Sequence, residues 1–560
     1  MSTNFPPETL QEIFWNLKDD ASTLHSCLLV NRLWCDNAIV VLWYNPFELC
    51  PSAKLLNALL PFIHGQRILE NKNGTLRLSP KPLYYYPGFL RVLSIGAIYQ
   101  TVADWSWTSI HWRNLLTLVH RDDDTDSYEP TSGINNNNED ETITEEEVRQ
   151  LQPQPPLQRP WNIFSMSIEI CNFFFRKSRR IERLSLWCTE RSCNQRFMPH
   201  FHYNGFHRIE CDNRRLPWKK SPNCLSGLSA FECFGPFDHQ KLFDDVAQNC
   251  KHIESIKIAE DWSQTLRDFD FPNEDRREAL KRLLEDQKNL KEADFEFMAR
   301  RMTPILVGLE SQARSLTRLV FQRINFGESF TLEPISKCTN LEELRFINCF
   351  WVTKDALAPL THAQFSKLKK FEFCEAPLQV AHHVPPINEL CAIFRNLGSS
   401  LQELKLDCGR IQYESLFQKV ATFNPDIISL QLNIPSSKTS VLIGVLDYWP
   451  LLSTLIVTVE DLCFSDFFNA DRGTELSKRL SRNIETLHVE DWIIGVEELD
   501  MFLEKCGDNL KSFKFRISGL REHYRKIIKR YAVKKRVRLE QLEFTDGWLC
   551  RDFAVIVFDR

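Results

Sequence analysis

One arrangement of hydrophobic positions recurs along most of the chain: apolar, two residues, apolar, one residue, apolar. Leu341-x-x-Leu344-x-Phe346 and Leu401-x-x-Leu404-x-Leu406 are two copies. Others begin at Leu90, Leu115, Ile181, Phe206, Leu228, Ile253, Leu290, Leu316, Leu368, Ile427, Leu452, Ile484, Leu510 and Leu539. From Ile181 onward the copies are 22 to 37 residues apart. Most spacings fall in or near the range of roughly 20 to 29 residues seen when a strand-plus-helix unit is repeated. Each copy predicts a short strand whose apolar residues point inward. The stretches between, such as 274–287 and 497–505, predict helices. One unit cannot bury its own apolar face, so neighbours must stack.

The N-terminus has a helical period instead. Pro6 and Pro7 open a helix, where proline's missing donor costs nothing, and Leu10, Ile13, Phe14 and Leu17 share one face. Asp20 or Ser22 caps a second helix bearing Leu24, Cys27, Leu28 and Val30. A third follows Asn31, with Leu33, Trp34, Ala38, Val41 and Leu42. Three short helices bury little area alone and leave apolar surface for a partner.

Composition narrows the class. Hydrophobic residues are 43% and charged residues 26% of 560, which excludes a disordered, collagen-like or fibrous chain. The longest apolar runs, Ala38 to Trp43 and Phe553 to Phe558, are far short of a bilayer span. Met1 to Leu10 lacks the basic flank and apolar core of a secretory signal. The 18 cysteines are therefore expected to be reduced thiols of a cytoplasmic or nuclear protein. Several sit just before a strand (Cys250, Cys338, Cys506) or just after one (Cys349, Cys374, Cys408), where a small soft side chain suits an interior turn. The 18 glycines are few for a chain that cradles phosphate.

The net charge of −5 hides an asymmetry. Residues 121–150 hold 11 acidic and two basic residues, a segment of −9 on a remainder of +4. With the run Asn135 to Asn138 and the Gln152 to Pro156 stretch, this predicts a disordered insertion over 121–160.

The segment 5–47 resembles an F-box, on the Phe5-Pro6-Pro7-Glu8 start, the Ile13-Phe14-x-x-Leu17 helix, the Cys27 to Asn31-Arg32-x-Trp34 run, and Leu42-Trp43-Tyr44-Asn45-Pro46, which is similar to fungal members. Phe5 stands where leucine is usual and Asn31 where cysteine is frequent. With the repeats, which resemble the cysteine-containing leucine-rich repeats, the chain resembles an F-box/leucine-rich-repeat protein over nearly its whole length. The resemblance implies an α/β leucine-rich-repeat solenoid (horseshoe) preceded by a small all-α three-helix F-box. The domains would be an F-box over 1–47, linker helices and first repeats over 48–120, the acidic insertion over 121–160, and the repeat domain over 161–560.

It also implies a role rather than a reaction. The F-box would bind a Skp-type adaptor, and through it a cullin–RING ligase, through Phe5, Pro6, Leu10, Ile13, Phe14, Leu17, Leu24, Leu28, Val30 and Trp34 as surface or immediate support. The repeats would hold a target protein for ubiquitination, supplying proximity. The alternative is a non-degradative scaffold using the same repeats. Period-2 alternation turns the residues between the apolar positions to the opposite, strand-lined face. Those candidates are Glu343, Arg345, Lys370, Glu372, Glu403, Lys405, Asp407, Gln431, Asn433, His488, Glu490, Lys514 and Arg516. Their mixed signs favour a protein partner over a single large charged ligand, while for any one of them a simply solvated position is the first expectation.

No chemistry of its own is expected of the chain. It has no phosphate loop, His-Glu-x-x-His, Gly-x-Ser-x-Gly or dinucleotide fingerprint, so neither an enzyme nor a cofactor is implied. Cys188, Cys193, His200, His202, His207 and Cys211 are zinc-ligand types without paired spacing, and are read as structural thiols and surface histidines rather than a metal site. His382 and His383 read as loop residues. The basic run Arg521 to Arg538 is either a solvated helix of the last repeats or a surface for nucleic acid, an anionic membrane or an importer. For the chain as a whole a protein partner is expected, not a membrane or a nucleic acid.

Overall fold

The computed structural model describes residues 5–63, 69–70, 76–77, 84–108, 160–187, 222–234, 239–259, 274–296, 302–326, 331–375, 386–407, 413–434, 448–459, 483–505, 509–517, 521–547 and 551–559. The chain is mixed α/β and divides into two compact units, Met1–Asp238 and His239–Arg560.

The first unit opens with α1 (Pro7–Asn16), α2 (Ala21–Cys27) and α3 (Arg32–Leu42). Their ends are set by local chemistry. Pro7 occupies the first turn of α1, where no donor is needed. The Asp20 carboxylate accepts the Thr23 amide at 3.0 Å, and the Asn31 side chain accepts that of Trp34 at 2.9 Å, satisfying donors that a helix start leaves open. Leu10, Phe14, Leu24, Cys27, Ala38 and Val41 form one buried cluster, with Leu17, Leu28, Leu33, Trp34 and Leu42 packed around it. Then follow α4 (Pro46–Leu49), α5 (Ala53–Ile63), the small antiparallel pair β1 (Leu69–Glu70) and β2 (Leu76–Arg77), β3 (Val92–Ser94), α6 (Ile95–Thr108), α7 (Pro160–Lys177), β4 (Arg183–Trp187) and β5 (Ala230–Phe234). Strands β3, β4 and β5 pair in parallel. Helix α7 begins at Pro160, the last residue of the expected insertion. The rest of that insertion, and the pattern copies at Leu115 and Phe206, lie outside the described residues.

The second unit alternates strands with helices: α8 (His239–Asn249), β6 (Ser255–Ala259), α9 (Glu274–Glu285), β7 (Glu292–Glu296), α10 (Thr303–Glu310), β8 (Arg318–Gln322), α11 (Glu333–Ser336), β9 (Glu343–Cys349), α12 (Lys354–Leu357), β10 (Lys370–Glu375), α13 (Ile387–Leu397), β11 (Glu403–Asp407), α14 (Tyr413–Phe423), β12 (Ser429–Ile434), β13 (Thr454–Val459), β14 (Thr486–Ile494), α15 (Val496–Lys505), β15 (Ser512–Ile517), α16 (Arg521–Lys535), β16 (Arg538–Gly547) and β17 (Arg551–Asp559). From β7 to β15 every strand pairs in parallel with its predecessor. The sheet is open, not closed into a barrel.

The register explains the recurring pattern. Phe295, Phe321, Phe346, Phe373, Leu406, Leu432, Val457, Val489 and Phe515 are direct neighbours from strand to strand and form one buried row. Phe295 stacks on Phe321 and Phe321 on Phe346, with ring centroids 6.1 and 5.5 Å apart. Burying each such ring contributes roughly 1.5 to 3 kcal/mol. The turn into each strand is also repeated. Two successive amides donate to one carbonyl of the preceding unit, as Lys369 and Lys370 do to Glu342, and Gln402 and Glu403 to Lys369. At the buried position before the strand stands Cys250, Gln287, Gln312, Cys338, Asn424 or Trp449. Gln312 accepts the Leu290 amide at 3.2 Å and donates to the Gln287 carbonyl at 2.8 Å, fastening one turn to the previous one. Gly308 marks a close helix approach, since a Cβ there would lie 3.1 Å from the Lys281 carbonyl oxygen.

The copy at Leu539 differs from its expectation. Strand β16 does not extend the parallel series. It pairs antiparallel with β17, and β17 pairs antiparallel with β15. The pattern Leu539-x-x-Leu542-x-Phe544 predicts only a strand with one apolar face. A hairpin satisfies that as well as a repeat, and the chain between β16 and β17 leaves no length for a crossover helix.

Candidate functional site

Two groups of residues are candidates for binding surfaces. In the helical trio, the ten residues assigned to a partner surface or its immediate support separate into two sets. Leu10, Phe14 and Leu24 are fully buried and form the core of the trio, with Leu17, Leu28 and Trp34 half-buried against it. These six are therefore placed as support of the trio rather than as its exposed surface: the ridge of α1 that meets α3 must be apolar for the trio to fold. Phe14 meets Trp34 edge to face at 5.4 Å. The exposed members are Phe5, Pro6, Ile13 and Val30, with Phe5 45%, Ile13 39% and Val30 56% exposed. The sequence reasoning did not single out Leu29, which is 78% exposed, or Trp15, which is 38% exposed while meeting Tyr44 at 4.8 Å. Their signal was apolar residues off the helix face that forms the core.

The trio is joined to the first sheet through backbone. The Tyr44 carbonyl accepts the amides of Arg91 and Val92 at 3.0 and 3.1 Å, and the Arg91 carbonyl accepts those of Glu182 and Arg183. Tyr44 thus occupies the place of a preceding strand turn. Its hydroxyl donates to Glu182 at 3.0 Å, and burial together with that carboxylate pushes the phenol up to about 12. Trp43 stacks on Tyr86 at 4.5 Å. Arg183 ties Glu48, on α4, to Glu232, on β5, at 3.9 and 2.7 Å.

The second group lies on the sheet face of the second unit opposite the apolar row. The register sets its side chains in lines across the strands. One line runs Glu292, Arg318, Glu343, Lys370, Glu403, and the next includes Lys257, Asp294, Arg345, Glu372, Lys405, Gln431. Opposite charges are neighbours: Arg318 and Glu343 at 3.3 Å, Lys370 and Glu403 at 2.8 Å, Arg345 and Glu343 at 3.4 Å. Lys257, Asp294 and Arg318 were not singled out from sequence. They become visible only when register places them beside Arg345 and Glu343.

Glu372 corrects the expectation of a solvated face at that point. It is 1% exposed, held by Arg345 at 2.5 Å and Lys405 at 2.9 Å. Burial opposes its charge, but the Lys405 and Arg345 cations outweigh that and hold it below the usual carboxylate range. Asp294 goes the other way: burial raises it, against the pull of Lys257, Arg318 and Arg345. At the far end of β10, burial and then Asp407 push Glu375 up to about 7.

Beyond β11 the same face changes character. Gln431, Asn433, His488, Lys514 and Arg516 are half-exposed among Ser429, Thr454 and Thr486. His488 lies 3.1 Å from the Ser512 hydroxyl. The side chain of Glu490 lies outside the described residues, as do Cys188, Cys193, His200, His202, His207, Cys211, His382 and His383. Among the described residues no group of three metal-ligand types gathers in one place, and no helix is long and apolar enough to cross a membrane. Burial pushes the Cys338 and Cys349 thiols up to about 12, which makes them poor nucleophiles. Comparison with protein-family models and with curated proteins returns no match.

Proposed function

We propose that the chain is the substrate-receptor subunit of a Skp–cullin–F-box ubiquitin ligase. Its helical trio acts as the F-box and its strand–helix units as a leucine-rich-repeat solenoid that holds the target. The observation that carries this reading is the division of apolar residues in the trio: Leu10, Phe14 and Leu24 stabilise it from within, while Phe5, Ile13, Leu29 and Val30 remain exposed. Several large apolar side chains exposed on one small folded unit fit a surface that a partner covers. The repeated strand turns and the continuous apolar row support the solenoid. In this reading the protein is not an enzyme. It raises the local concentration of its target at a conjugating enzyme bound elsewhere in the complex. It works in the cytoplasm or nucleus, where its buried thiols stay reduced.

Co-purification with a Skp-type adaptor and a cullin is the test, combined with ubiquitination of captured partners. A well-folded chain that retains no adaptor would defeat the reading. Adaptor without cullin or ubiquitin transfer would replace it by the scaffold.

A further inference from the structure

Helix α16 carries eight basic residues, counting Arg521, Arg525, Lys526, Lys529, Arg530, Lys534, Lys535 and His523, against one acid, Glu522. Three of its cations are neutralised locally: Arg525 by Glu522 at 2.9 Å, Lys534 by Glu504 at 2.7 Å, and Arg530 by Asp500. Buried Tyr524, Ile528, Tyr531 and Ala532 fix the opposite side of the helix against the unit. Lys526, Lys529, Val533 and Arg536 are all exposed and follow one another at spacings of three, four and three residues, which is one line along the helix and its cap. Val533 is 79% exposed, at the centre of that line.

Arg536 adds an independent observation. It closes the helix with a φ of 55°, and the Val537 amide returns to the Ala532 carbonyl at 3.0 Å. That left-handed capping position favours glycine, yet a cation stands there, where a residue without a side chain would be less strained.

We propose that this stripe binds the surface of an anionic lipid bilayer, with α16 lying flat, Val533 entering the headgroup boundary and Lys526, Lys529 and Arg536 meeting lipid phosphates and carboxylates. The inference is separate from the ligase reading and departs from the sequence-level expectation of no membrane partner. Charge alone would serve a nucleic acid equally. The central valine decides between them, because a phosphate backbone offers an apolar side chain nothing, and the stripe has no aromatic, asparagine or glutamine to stack on or read a base. The headgroup boundary of a bilayer, in contrast, takes up an apolar side chain flanked by cations, and anionic lipid faces the cytoplasm.

The test is co-sedimentation of the full chain with vesicles of phosphatidylcholine, with and without about 30 mol% phosphatidylserine. Binding is expected only with phosphatidylserine, and it weakens with added salt. Each cation is worth about fivefold in affinity, so Lys526→Glu with Lys529→Glu should lose at least tenfold. Val533→Gln should lose severalfold at unchanged charge. Arg536→Gly keeps the fold separate from the binding: its thermal midpoint is expected to hold or rise while binding falls about fivefold. Equal binding to both vesicles, or none, would overturn the proposal. So would tight binding of a 20-base-pair DNA duplex that Val533→Gln leaves unchanged.

Discussion

The carbonyl oxygen of Tyr44 lies 3.0 Å from the amide nitrogen of Arg91, its hydrogen-bond donor. This bond sits two residues beyond α3 and makes the end of the helical trio the acceptor for β3, as Arg91 is for β4. The trio is therefore built into its unit rather than strung before it. Tyr44→Phe keeps the carbonyl and the ring but removes the hydroxyl that donates to Glu182. It should cost about 1 kcal/mol, read as a lower urea midpoint by circular dichroism.

Neighbouring residues of α1 should separate folding from partner binding. Phe14 is fully buried, whereas Ile13 is 39% exposed. Phe14→Ala should cost about 3 to 4 kcal/mol and abolish adaptor capture by unfolding the trio. Ile13→Asp should stay within about 0.5 kcal/mol of the parent and still lose adaptor in a pull-down. If Ile13→Asp captures adaptor as well as the parent, Ile13 has no place in the proposed surface.

The Glu372 carboxylate offers a second contrast. It stands between Arg345 and Lys405 on neighbouring strands. Glu372→Ala leaves two cations side by side over a small cavity and should cost about 2 to 3 kcal/mol. Replacing all three by apolar residues of similar size should recover most of that loss. Chemical denaturation of the single and triple variants measures both values.

Glu375 gives a pH dependence with a definite sign. Its folded-state value is raised from 4.5 to about 7 by burial and by Asp407. Folding therefore favours the protonated acid. The corresponding stability is fully present below about pH 4.5 and is lost as pH rises through 7. Glu375→Gln should remove that slope, so the parent loses about 2 to 3 kcal/mol relative to the variant between these limits. Unfolding midpoints across pH 4 to 8 read the difference, and parallel profiles would show that Glu375 does not titrate there.

Much of the architecture is legible in the sequence because it rests on short-range rules. Alternating apolar residues mark the strands, and Pro7, Asp20 and Asn31 mark three helix starts that the structure reproduces. Cysteine before a strand is a partial signal, since Gln287, Gln312, Asn424 and Trp449 fill the same buried place. The requirement there is a buried turn residue, often one that bonds the previous turn, and several chemistries meet it. Register is not legible. Glu372 reads as one charge among many until β9 and β11 bring Arg345 and Lys405 to its sides. The Leu539 strand shows the same limit, because one strand's pattern does not say whether its partner runs parallel.

The terminal hairpin has a further consequence, for self-association. A parallel array that simply stopped at β15 would present a row of unpaired backbone donors and acceptors beside a buried phenylalanine pair, Phe513 and Phe515. Such an edge templates pairing with another chain. Strand β17 covers it, and the strand left outermost among the described residues, β16, carries exposed Arg538, Glu540 and Glu543. Two copies brought edge to edge there would have to desolvate these charges, which disfavours pairing through β16.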